Sequence, residues 1–60
     1  MIIEISDSDV DMLRLTLNLR DCGIDLTWED TNRLSTQNRC TYRVAMDWLI
    51  ANEINFRLPK

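Results

Sequence analysis

Asn38-Arg-Cys-Thr-Tyr-Arg-Val-Ala-Met-Asp-Trp-Leu-Ile-Ala-Asn-Glu-Ile54 carries the clearest helical pattern in this chain, and the use of its two sides decides how everything else must fold. At about 100° per residue, Cys40, Val44, Trp48 and Ala51 share one side, while Tyr42, Ala45, Met46, Leu49 and Ile50 lie on the other. A helix apolar on both sides needs cover on both sides. The chain has 60 residues, and a domain of that size buries only about 60% of the surface it exposes when unfolded. One covering layer is within its means and a second is not. The side with Cys40, Val44 and Trp48 is expected in the core. Tyr42, Met46, Leu49 and Ile50 are then expected to face a partner, rimmed by Arg39, Arg43 and Glu53.

Outward from this stretch, Ser35-Thr-Gln37 reads as a turn or a cap, with Ser35 or Asn38 supplying the capping oxygen. Thr27-Trp-Glu-Asp30 sets an acid three residues after a threonine, the pattern of a helix start, and predicts a short helix from Trp28 to Leu34. Between Val10 and Arg20, leucines at 13, 15, 17 and 19 alternate with polar residues, the period of a strand. The ends of that segment favour a helix instead: acids at its start, Arg20 near its finish, then Gly23 and Ile24. Ser6 or Ser8 is the expected cap, with Asp7, Asp9 and Asp11 in the first turns. Met1 to Ile5 is β-branched and suits a short strand, as does the alternation of Ile54, Phe56 and Leu58 before Pro59. These terminal strands could pair with each other or between two chains. The expected fold is a mostly α, compact three-helix domain over residues 1–60, with short β-strands at the two termini. No internal repeat or linker is evident.

Composition narrows the function. With 45% apolar and 28% charged residues, one Gly and one Pro, the chain has the balance of a folded domain. It has no histidine, so it lacks the commonest general base and transition-metal ligand. Cys22 and Cys40, eighteen positions apart, do not make a zinc site; they are expected to be buried, inert thiols. Asp7-Ser-Asp-Val-Asp11 opens like a calcium loop, but Met12 and Asn18 stand where that loop needs Gly and Glu. One glycine excludes phosphate-cradling loops, and Asp25, Glu29 and Asp30 read as capping carboxylates. No enzymatic activity, cofactor, metal or small-molecule substrate is expected. The apolar runs are too short to span a membrane, and no secretory leader is evident, so a cytoplasmic location is expected.

Two binding readings remain. In the first, the chain is a non-enzymatic regulatory module that binds another protein, or itself as a homodimer, through Arg39, Tyr42, Arg43, Met46, Leu49, Ile50 and Glu53. Tyr and Arg carry much interface energy, and Met adapts to irregular surfaces. In the second, Asn38, Arg39, Tyr42 and Arg43 open the recognition helix of a helix-turn-helix that contacts DNA; on the strand reading of Leu13 to Arg20 they belong instead to a ribbon-helix-helix whose Arg14, Thr16, Asn18 and Arg20 face a groove. Net charge is −3, with eight acids and two bases between Glu4 and Asp30, so nucleic acid ranks behind protein as the expected partner. In size and composition, though in no motif, the chain resembles the small regulators and inhibitors encoded by phages and mobile elements.

Overall fold

The structure is a computed structural model and describes residues 1–59. Its elements run β1 (Ile2–Ile5), α1 (Met12–Asp21), β2 (Thr27–Asp30), β3 (Arg33–Ser35), α2 (Arg39–Ala51) and β4 (Phe56–Arg57). All strands pair antiparallel, in the order β2-β3-β1-β4. This is the β-α-β-β-α-β arrangement of the ferredoxin-like class, in which two βαβ units are interleaved. The sequence predicts three helices; the described residues form two helices on a four-stranded sheet.

The difference lies between Trp28 and Leu34. That stretch is a hairpin, β2–β3, closed by Thr31 and Asn32. It has too few apolar residues for a helix to bury a stripe, whereas a strand needs only one inward residue in two. Leu34 supplies it, wholly buried between Ile3 on one side and Trp28 on the other. Neither turn residue takes a positive φ, and the register shifts between Trp28 and Asp30. The extra residue, Glu29, twists a hairpin that lacks the glycine of the tightest turns. Thr27 to Asp30 form an exposed edge, guarded by two acids.

The terminal strands pair with each other, Glu4 opposite Arg57 and Ile5 opposite Phe56. Alternation along β1 sends Ile3 and Ile5 to one face and Ile2 and Glu4 to the other. Both helices cover the first face: Met12, Leu15 and Leu19 of α1 and Ala45 and Leu49 of α2 join Ile3, Ile5 and Leu34 in one core. The second face is open and polar.

Asp11, and neither serine, caps α1; its carboxylate accepts from the N–H groups of Leu13 and Arg14. Asn38 caps α2 through Thr41 N–H. Both helices end alike. At α1, Gly23 N–H bonds Arg20 C=O and Ile24 N–H bonds Leu19 C=O; at α2, Glu53 bonds Ile50 and Ile54 bonds Leu49 in the same way. These are Schellman closures, with the left-handed residue at Gly23 (φ 81°) and Glu53 (φ 57°). The match extends inward: Met12, Leu15, Thr16, Leu19, Ile24 and Leu26 stand thirty positions before Tyr42, Ala45, Met46, Leu49, Ile54 and Phe56. The chain therefore contains two structural half-repeats. Only the Leu and Ile of each closure are identical between these sets, so no repeat shows in the sequence.

Candidate functional site

On α2 the two sides are used the opposite way from expectation. Leu49 and Ala45 are wholly buried, and Tyr42, Met46 and Trp48 are half-buried against the core. The Tyr42 hydroxyl points at the Ile2 carbonyl, 3.5 Å away. The side meant for a partner thus covers the sheet, because its longer side chains fill the space between the layers. Cys40, Val44 and Ala51, meant for the core, face outward. Trp48 alone of that group turns inward.

Of the expected contact residues, Arg39, Arg43, Ile50 and Glu53 are exposed, Tyr42 and Met46 show one edge, and Leu49 shows nothing. The outer face of α2 is consequently two rows, Cys40-Val44-Asp47-Ala51 and Arg39-Arg43-Ile50. Val44 is 51% exposed and Ile50 65%. On α1, Leu13 and Leu17 form a second outward pair, one turn apart, 58% and 46% exposed. Sequence reasoning missed Val44, Asp47, Leu13 and Leu17. The strict leucine alternation at 13, 15, 17 and 19 was the available signal: on a helix it must put two of the four outside.

The open sheet face carries one charged cluster. Glu4 stands between Arg33 and Arg57, one on each neighbouring strand. Arg33 Nε donates to Glu4 Oε2 at 3.0 Å and Arg57 Nε donates to Oε1. The Glu4 side chain is nearly buried while both guanidiniums stay in contact with water. Arg57 first, and then Arg33, hold its carboxyl below the usual glutamate range against the opposing pull of burial. Because the folded state prefers the ionised carboxylate, this contribution to stability is present above the unfolded pKa and is lost as pH falls through the folded one. Thermal melts taken from neutrality into acid should show falling stability in that range, and Glu4→Gln should flatten the slope while lowering the melting temperature at neutral pH. An unchanged acid slope in Glu4→Gln would mean the cluster is not coupled to folding.

An open cleft of about 410 Å³ lies beside the loop after β1, lined by Ser6, Asp7, Val10, Met12 and Asn32 among others. Its polar groups tie loops together. Asp7 accepts from the backbone N–H of Asn55 and then from its side-chain amide, which hold its carboxyl below the usual range. Asn32 donates to Ile5 C=O. Among the described residues no group of three or more Cys, Asp or Glu side chains could hold a metal ion.

No family model, curated protein or solved structure matches this chain. This fold class hosts many unrelated functions, so the exposed surfaces are what bear on function here.

The DNA-binding architectures are overturned. A hairpin, not a helix, precedes α2, and residues 12–21 are helical, so neither a helix-turn-helix nor a ribbon-helix-helix is formed. Among the described residues the open sheet face offers Ile2, Glu4, Thr27, Arg33, Ser35 and Arg57. Cys22 and Cys40 are free and exposed, not buried. No helix among the described residues is long and apolar enough to cross a membrane.

Proposed function

We propose that the chain is a small non-enzymatic binding module, a regulator or inhibitor in kind, that docks the outward faces of its helices on another protein or on a second copy. One observation carries it. Four large apolar side chains, Leu13, Leu17, Val44 and Ile50, stay about half exposed or more although the core beneath them is closed. Single exposed apolar residues are ordinary on any surface; two on each of the only two described helices, beside unpaired charges, favour contact. The contact set on α2 is Arg39, Arg43, Val44, Asp47, Ile50 and Glu53, with the visible edges of Tyr42 and Met46. Two exposed free thiols suit a reducing compartment, which supports a cytoplasmic location.

A doubly substituted Val44→Glu, Ile50→Glu chain tests the reading. Both sites lie outside the core, so the circular dichroism spectrum should stay that of the wild type. Light scattering and affinity capture from the native host should show that an association present in the wild type, with itself or with a protein, is lost in the variant. Identical behaviour of the two chains would overturn the proposal.

A further inference from the structure

Charge on the outer face of α2 runs the wrong way for a helix on its own. Arg39 and Arg43 occupy the N-terminal half and Asp47 the second half, with Glu53 just past the end; the first turn has no acid and the last no base. Arg39 in the first turn and Glu53 just past the last oppose the helix dipole. Arg39 and Arg43 also repel one turn apart, and Arg43 precedes Asp47 by four positions, the weaker orientation for such a pair. The ion pairs found among the described residues are Arg20–Asp25, Arg33–Glu4 and Arg57–Glu4, so these four charges are unpaired there.

An antiparallel second copy reverses each of these penalties. We propose that the outer face of α2 is the two-fold interface of a homodimer, α2 packed antiparallel on α2 of a second copy; this rests on the helix-face reading above and names its occupant. A two-fold axis at the level of Ala45 sets Arg43 level with Asp47 of the second copy and Cys40 level with its Ile50. Arg39 then falls within two residues, about 3 Å of rise, of the second copy's Glu53. Every pairing occurs twice, as an isologous contact requires. The row between the charges is Cys40, Val44 and Ala51, small enough to let two helix axes approach closely, and Ile50 closes over its edge. Complementarity of this face to itself, and not merely its apolar character, singles out a second copy over an unrelated protein. One face of a 13-residue helix is a small interface, so a weak, salt-sensitive dimer is expected.

Sedimentation of the full chain at up to about 1 mM, where weak specific association is still visible, provides the test. The wild type should dimerise. Arg43→Asp alone and Asp47→Arg alone each bring like charges together at two symmetric positions and should weaken the dimer at least about tenfold. An equimolar mixture of the two variants should recover it, because the heterodimer restores both opposite-charge pairs. Circular dichroism confirms folding of each variant, both sites being exposed. A wild type that stays monomeric overturns the homodimer, as do single variants that associate like the wild type or a mixture that recovers nothing. If the wild type is monomeric yet Val44→Glu, Ile50→Glu loses a different captured protein, only the identity of the occupant fails; if it loses nothing, the helix-face reading fails with it.

Discussion

Leu49→Ala is expected to leave most of the protein unfolded under conditions in which the wild type is folded. Leu49 is wholly buried, sits in the same core as Ile3, Ile5, Leu19 and Leu34, and offers its carbonyl to Ile54 N–H at 3.0 Å. Truncating a buried leucine costs about 2–5 kcal/mol, because the lost transfer energy adds to that of the cavity left behind. A domain this small rarely holds more than about 3–5 kcal/mol in total, so one such change consumes its margin. Leu19→Ala, thirty positions earlier in the equivalent closure, should behave alike. Ile50→Ala, one position on but pointing at water, should stay within about 0.5 kcal/mol of the wild type. Urea unfolding followed through Trp28 and Trp48 fluorescence separates these outcomes. If Ile50→Ala lost more than Leu49→Ala, α2 would have to be turned about its axis.

The second large effect concerns the two left-handed residues, and its sign differs between them. Gly23 has φ 81° and open space where a Cβ would go, so Gly23→Ala meets only the backbone penalty of the left-handed region. That penalty, partly offset by a stiffer unfolded chain, should cost about 1 kcal/mol and lower the melting temperature by about 4–8 °C. Glu53, at φ 57° in the same position of the other helix, already bears it. Glu53→Gly should therefore gain a few tenths of a kcal/mol, the relief of strain exceeding the added freedom of the unfolded chain only slightly. Melting curves of both variants, and of the double variant, read this directly. A stabilising Gly23→Ala would mean that α1 does not end in the closure described.

Local signals proved readable where the backbone itself needs a particular residue. Gly23-Ile24 marks the end of α1, Asn38 caps α2, and the β-branched Ile2, Ile3 and Ile5 mark the strand Ile2–Ile5. Legibility failed where the outcome is set by partners distant in the chain. Thr27 to Asp30 resembles a helix start because Thr and acids also populate edge strands and turns, and the hairpin lacks the Asn-Gly that announces the commonest turns. Its strand character comes from β1, which pairs with β3 through Ile3 and Leu34. The faces of α2 could not be told apart by apolar count alone. Side-chain size decided, since Tyr42, Met46 and Leu49 fill the gap above a sheet that the three-helix expectation did not contain. Of the residues expected to face a partner, Arg39, Arg43, Ile50 and Glu53 are exposed, whereas Leu49 is buried.

Placing β1 inside the sheet carries a liability of its own. Glu4 meets Arg33 across 29 positions and Arg57 across 53, so both neighbours of β1 arrive only through long loop closures. Until they do, Ile2, Ile3 and Ile5 form a bare, β-prone template with two open rows of hydrogen-bonding groups. A lesion that frees Phe56 and Arg57 would uncover one of those rows, and the resulting damage would first be seen as fibrous or amorphous precipitate.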